Sequence, residues 1–271
     1  MNMRQVSFFP GLIISLVVTM PATAQVLPAT SLPIVVIDTH GAPILDDPKT
    51  TVDMGIIDNG PGQINKLSDP FNGFDGRIGI EIRGSSSQMF PKKQYGFELI
   101  DNDGLEYDTS LMGLPPESDW ILFAPYNDKS LMRDVLAYEL ASRMGRYAPR
   151  TRYCELVLNG TYQGIYVLNE KNKRDKNRVD IDKLDPDENS GGDITGGYII
   201  KIDKRTGDSD GGWYSQFPPS HAWGDKVVNF LYEYPDAEDI SGPQGDYIRD
   251  FISNFEITLK SHDFADPVDG Y

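Results

Sequence analysis

Residues 83–99 read RGSSSQMFPKKQYGFEL, and the interpretation of this stretch decides the fold around it. One arginine, one glycine, three serines and two lysines stand between two runs of strand character. Upstream, Ile78, Ile80 and Ile82 alternate with Arg77, Glu81 and Arg83, which makes one face apolar and the other polar. Downstream, Lys93, Tyr95, Phe97 and Leu99 resume the alternation against Lys92, Gln94, Gly96 and Glu98, until Asn102-Asp103-Gly104 turns the chain. Arg83, Ser85, Ser86, Ser87, Lys92 and Lys93 form a basic, hydroxyl-rich bend suited to holding an anion such as phosphate. The same composition also fits a plain solvated hairpin tip.

Further along the chain, Leu114-Pro115-Pro116 is a rigid connector and residues 120–124 read as a short buried strand. Asp128 or Ser130 can cap a helix over residues 131–144, with Gly145 placed to end it. Leu136, Leu140 and Met144 recur every four residues, flanked by Met132 and Val135, which predicts a stripe packed inward with Glu139 at its edge. Residues 152–158 and 162–168 flank Asn159-Gly160, a strong hairpin signal. The run EKNKRDKNR over residues 170–178 is strongly basic in an acidic chain. It reads either as a solvated loop or as a second anchor for an anionic ligand or acidic partner. A strand over 196–202, an aromatic-rich segment from Trp213 to Tyr234 and a helix over 247–260 complete the reading. Upstream of the bend, residues 34–38 predict a first strand and 52–57 a second. The order is that of an α+β layer, a mainly antiparallel sheet with one helix against it.

The composition narrows the functional classes. A chain of 271 residues that is 39% hydrophobic can bury a sizeable core. Residues 1–24 read as a secretory signal peptide, with Arg4 before an apolar stretch and Ala22-Thr23-Ala24 as the cleavage pattern, cut after Ala24. No membrane span is expected after cleavage, and the location implied is secreted or cell envelope. A net charge of −16 repels nucleic acid and anionic lipid at long range, so no nucleic-acid partner is expected. Cys154 is the single cysteine, which excludes an internal disulfide and a cysteine-based zinc cluster; its apolar neighbours predict a buried, inert thiol. Asp101, Asp103 and Glu106 resemble a fragment of a calcium loop but read as a plain turn. His40, His221 and His262 are scattered, without the motifs of a hydrolase.

Four segments in order, IEIRGSSSQMFPKKQYGFEL, DWILFAPYNDKSLMRDVLAYELASRMG, RYCELVLNGTYQGIYVLNEKNKRDKNRVDI and DITGGYIIKID, resemble the spore-coat protein H (CotH) kinase family in a secreted form. The resemblance implies an atypical protein kinase fold: a small lobe of antiparallel strands plus one helix, a larger helical lobe, and ATP with a divalent metal, magnesium, between them. It implies that residues 25–33 are a leader, 34–203 the small lobe and hinge, and 204–271 the incomplete start of the larger lobe. By the same analogy Lys92 and Lys93 pair the nucleotide phosphates and Glu139 braces that lysine. Arg83 and Ser85 to Ser87 stand in for a glycine-rich lid, and Glu170 and Lys171 lie at the hinge.

The implied activity is transfer of phosphate from ATP to Ser or Thr of a secreted or surface protein. No His-Arg-Asp loop, Asp-Phe-Gly motif or Trp-Asp-x-Asp-like stretch occurs, so the catalytic residues stay unassigned. The chain is therefore expected to be a C-terminally truncated, inactive fragment. The alternative is a secreted structural or binding module of the cell surface without catalysis.

Overall fold

The computed structural model describes residues 27, 29–205, 211–217, 219, 227–262, 264–268 and 270. Residues 1–24, read above as a signal peptide, and His221 and Trp223 lie outside the described residues.

Seven strands form one sheet: β1 (Ile34–Asp38), β2 (Thr50–Ile57), β3 (Phe74–Arg83), β4 (Gln94–Ile100), β5 (Asp119–Phe123), β6 (Thr151–Leu158) and β7 (Thr161–Glu170). The alternation seen in the sequence sets their faces. Ile78 and Ile80 of β3 and Tyr95, Phe97 and Leu99 of β4 turn inward, with Ile80 opposite Phe97 and Ile82 opposite Tyr95. Trp120 and Leu122, Cys154 and Leu156, and Tyr166 and Leu168 complete the same core. At Asn159-Gly160 both residues have positive φ, 50° and 73°, the geometry of a two-residue hairpin turn. Cys154 is fully buried, and burial pushes its thiol up to about 12, as its apolar run predicts. Asp101 Oδ1 accepts the backbone N–H groups of Asp103 and Leu105 at 2.9 Å each, so that segment is the plain turn expected.

The α+β class holds, but the resemblance implied a kinase-type small lobe of antiparallel strands with one helix, and the sheet is a closed barrel in the order β1-β2-β3-β4-β5-β7-β6. Parallel pairing of β1 with β6, from Ile34 opposite Glu155 to Ile37 opposite Leu158, joins what would have been the two free edges. The helix is a second correction. It runs as α1 (Arg133–Arg143) and has no buried residue. The stripe expected to pack inward faces solvent: Leu136 is 49% and Leu140 52% exposed. Val135, Tyr138 and Ala141 are the half-buried positions instead. The closed barrel is filled from its own strands, which removes the apolar face that the leucine stripe was expected to cover. Asp128 holds the start of α1, accepting the Arg133 N–H at 2.8 Å and the Ser130 hydroxyl at 2.7 Å, and these bonds hold its carboxyl down to about 2.

A second unit consists of a three-stranded sheet in the order β8 (Ile199–Ile202), β10 (Asn229–Tyr234), β9 (Gly212–Tyr214), followed by α2 (Gly242–Lys260). The aromatic-rich segment stitches this sheet together, with the Trp213 ring 5.4 Å from Phe230 and 5.7 Å from Tyr232. The helix starts at Gly242, before the expected residue 247, because Ser241 and Gln244 form a capping box and Gln244 also donates to the Asp185 carbonyl at 2.7 Å. Among the described residues no helix is long and apolar enough to cross a membrane.

The basic run after β7 folds back onto the start of β5. Lys173 bridges Glu117 at 3.0 Å and Asp119 at 2.7 Å, and Lys171 reaches Asp119 at 3.4 Å. Arg178, 4% exposed, donates to the carbonyls of Lys171 at 2.9 Å and Asp119 at 2.8 Å and lies over the Trp120 ring. Arg174 lies over the ring of Tyr234 in the second unit. Most of this run is therefore committed to internal contacts.

Three outcomes test this architecture by chemical or thermal denaturation. Ile80→Ala, deep in the barrel, costs about 2–5 kcal/mol, whereas Leu140→Ala on the solvated stripe of α1 changes stability by less than about 0.5 kcal/mol. Arg178→Ala leaves the buried carbonyls of Lys171 and Asp119 without their donor and removes one of the two cations beside Glu117, and costs about 3–5 kcal/mol; Arg178→Lys, lacking the planar fork, does not restore it. Because the folded Asp128 carboxyl lies below its ordinary value of 3.8, its charge stabilises the fold above that pH. The melting-temperature advantage of the natural protein over Asp128→Asn is full above pH 3.8 and disappears as the pH falls through about 2.

Candidate functional site

Closure of the barrel leaves its outer face over β3, β4, β5 and β7 as a floor, and period-two alternation decides which side chains stand on it. The strand registers arrange them in rows: Arg83 beside Gln94, then Glu81, Gly96, Ile121 and Asn169 side by side, then Glu98 beside Asp119. Gly96 keeps the middle row low; a Cβ there would sit 3.0 Å from Glu81 Oε1. Above this floor lie Tyr138 of α1 and the edge of the second sheet, with Ile199, Ile200, Lys201, Asp203 and Glu233. The space between is a cavity of about 600 Å³. A second cavity of about 680 Å³, lined by Asp46, Ser85, Ser86, Gln88 and Lys204, adjoins it at Gly84 and Asp203. Together they form a trough that runs from the floor of the sheet to the serine-rich bend.

The bend is shaped by Gly84, whose φ of +97° and close approach to Ser87 leave no room for a side chain. A short 3-10 turn follows over Ser86–Met89. Gln88 fastens it, donating to the Gly84 carbonyl at 2.6 Å and to Asp46 at 2.8 Å. Lys204, arriving from the end of β8, donates to the Ser85 hydroxyl at 2.9 Å and so brings the second unit to the bend.

The structure brings Arg83, Ser85, Ser86, Glu170 and Lys171 to the trough. The Arg83 side chain reaches solvent, yet the surrounding walls strip enough water to lower its pKa from the ordinary 12.5, while Glu81, Tyr138 and Glu233 act in the opposite sense. It remains charged. Glu170 is 1% exposed, and both its carboxylate oxygens accept hydrogen bonds from Arg150, whose backbone N–H also donates to it at 2.9 Å. Lys171 is oriented by Asp119. Burial pushes the Asp119 carboxyl up, but Lys171 and the hydrogen-bonded Lys173 outweigh this and leave it below the usual aspartate range.

Lys92, Lys93, Ser87 and Glu139 are placed elsewhere. Lys92 Nζ donates to the Ile165 carbonyl and sits 4.4 Å from the centre of the Tyr166 ring, where burial lowers its pKa. Lys93 Nζ donates to the Gln88 carbonyl, and its own carbonyl accepts the Tyr166 hydroxyl at 2.9 Å. The two lysines therefore brace the base of the bend. Ser87 packs over Gly84. Glu139 pairs with Arg143 one helical turn away, at 2.7 Å, on the exposed side of α1.

Asn169, Lys201, Asp203, Lys204 and Tyr138 line the trough without having been singled out in the sequence. One signal was available for Asn169, a polar residue that follows the apolar run from Ile165 to Leu168 at an outward position of the strand. Lys201 and Lys204 reach the site only through the pairing of β8 with β10.

The residues fit an elongated anion with an apolar end. Arg83, Lys171, Lys201 and Lys204 supply positive charge, Ser85 and Ser86 supply hydroxyl groups, and Ile121, Phe123 and Ile199 supply flat apolar walls. Among the described residues no three histidine, cysteine, aspartate or glutamate side chains converge into an all-protein metal cage; Asp46 and Asp203 are the carboxylates at the bend end that would hold a magnesium ion brought in with phosphate groups.

A comparison with curated proteins gives no match. The family model described as CotH kinase protein matches residues 80–271, which covers the end of β3, β4 to α2 and both cavities apart from Asp46. With more than half of its length matched, the chain belongs to the CotH kinase protein family.

Proposed function

We propose that this chain is an exported CotH-type kinase that binds ATP in the trough and serves transfer of its terminal phosphate to Ser or Thr of a secreted or surface protein. One observation carries the reading: in a chain of net charge −16, four cations and two serine hydroxyls line a single trough, where Lys201 pairs with Glu233 at 2.9 Å, Glu170 is taken by Arg150, and Asp46 and Asp203 stand near the bend. An acidic surface with a few cations gathered in one trough favours a small anion over a polyanion such as nucleic acid. Membership of the family supports the kinase class and the nucleotide.

In this reading the triphosphate lies toward the bend. Arg83 offers a planar, permanently charged fork to phosphate oxygens, Lys204 offers a mobile point charge, and Ser85 and Ser86 donate hydroxyl hydrogen bonds. Lys171, held by Asp119, keeps its ammonium at the floor. The base occupies the apolar part between Ile121, Phe123 and Ile199. Lys92 and Lys93 act indirectly, by fixing the shape of the bend.

A second reading, nucleotide binding without transfer, is favoured by one observation. The acids near the phosphate end, Asp46 and Asp203, are not joined by a third metal-capable side chain among the described residues. Such a protein would be a binding module of the cell surface.

Binding and transfer are separable by experiment. Titration of the natural chain with ATP and magnesium raises its melting temperature, because a ligand that binds only the folded form stabilises it. Arg83→Ala and Lys204→Ala each weaken ATP affinity about tenfold, as expected for a lost charge-assisted contact, without lowering the melting temperature of the free protein. Lys92→Ala lowers that melting temperature while keeping most of the affinity. A flat ATP titration of the natural chain overturns the binding reading. Transfer is measured with terminally labelled ATP on secreted protein acceptors; absence of label together with a positive titration selects the binding module.

A further inference from the structure

Five buried side-chain polar atoms lack a hydrogen-bond partner among the described residues: Asn169 Oδ1, Arg174 Nε, Trp213 Nε1, Asn229 Oδ1 and Glu256 Oε2. Of these, Asn169 lines the trough. Tyr166 and Leu168 point into the barrel core, so the alternation of β7 turns Asn169 onto the outer floor, opposite Ile121. The residue is 6% exposed. A buried carboxamide oxygen without a protein donor is unfavourable until water or a ligand completes it, and a position lining a cavity gives a ligand that access.

Its surroundings narrow the ligand. The next residue, Glu170, is saturated by Arg150 and does not compete for a donor. Ile121 beside Asn169 and Phe123 one row further on give flat apolar surface of the kind that sandwiches an aromatic ring. Arg83 stands on β3, three strand spacings from β7, a lateral separation of about 14 Å at roughly 4.8 Å per strand. An acceptor in an apolar slot at one side and a cation at the other suit a ligand whose ring donor and anionic group lie far apart.

The geometry points to Asn169 as the residue that reads the base: its Oδ1 accepts a hydrogen bond from the exocyclic amine of adenine. This assignment rests on the nucleotide-binding reading above and adds a specificity to it. Adenine offers an N–H at that position, whereas hypoxanthine offers a carbonyl oxygen, which would face Oδ1 acceptor to acceptor. Sites that hydrogen-bond a substrate group reject the analogue lacking it because their own buried polar group is left unpaired. Asn169 is thereby a specificity-determining residue for the nucleotide and takes no part in bond making.

Calorimetric titration of the full chain with ATP and with inosine triphosphate, each with magnesium, tests the assignment. The natural chain is expected to bind ATP at least about fivefold more tightly than inosine triphosphate. Asn169→Leu, which removes no hydrogen bond within the protein, is expected to keep binding of inosine triphosphate and to lose the preference. Equal affinities in the natural chain, or tighter binding of inosine triphosphate, overturn the Asn169 assignment and leave the nucleotide site standing. Binding of neither nucleotide overturns both. Because the first comparison uses the natural chain, a variant that folds poorly does not decide the outcome.

Discussion

The buried ion cluster at the foot of β5 is the constraint on which the trough depends. Glu117 and Asp119 stand at the start of a strand whose inward neighbour is Trp120, and the segment after β7 brings Lys171, Lys173 and Arg178 back onto them. Ions removed from water are costly unless every charge is paired, and here the carboxylates meet ammonium and guanidinium groups while Arg178 also satisfies two backbone carbonyls. Geometry of this quality does more to fix position than to add stability. It sets the direction in which the chain leaves the barrel, places Lys171 at the trough floor, and carries Arg174 to Tyr234 of the second sheet.

Barrel closure supplies the other half of the arrangement. An open sheet with a helix against it has an apolar outer face that must be covered. Once β1 pairs with β6, the apolar residues of the seven strands meet inside, and the outer positions of β3, β4, β5 and β7 are released to carry Arg83, Glu81, Asp119 and Asn169. The same event removes the burial surface expected for Leu136 and Leu140 and leaves α1 held by its Asp128 cap and by Tyr153, whose hydroxyl donates to the Leu131 carbonyl at 2.7 Å. Fold and site are thus two consequences of one topology.

The charge arrangement follows a similar economy. In a strongly acidic chain most cations are consumed by internal pairing, as Lys173 and Arg178 are. Along the trough Lys171 and Lys201 are paired as well, with Asp119 and Glu233, while Lys204 takes a hydroxyl partner, Ser85, from the serine bend. The lysines of the bend itself are spent on its base, where carbonyl groups of Ile165 and Gln88 take their protons' hydrogen bonds. A lysine pair beside a glycine and three serines looks the same in sequence whether it points at a ligand or at backbone. Side-chain direction in a bend is set by tertiary contacts, here the ring of Tyr166 some seventy residues downstream in sequence, and local pattern carries no trace of it.

Much was determined by the sequence alone. Period-two alternation in residues 77–83 and 93–99 settled the faces of β3 and β4, Asn-Gly settled the β6–β7 hairpin, the apolar setting of Cys154 settled its burial, and the four ordered segments settled the family. These are local properties, governed by backbone sterics and by the period of side-chain direction. What only the tertiary structure decided was non-local: that the sheet closes, which face of α1 is buried, that Lys201 and Lys204 arrive beside Arg83, and that Asn169 is left with an unpaired oxygen in a slot. Each depends on contacts between residues tens of positions apart, whose free energies are set by which partners the chain brings together, and single-strand periodicity does not encode that choice.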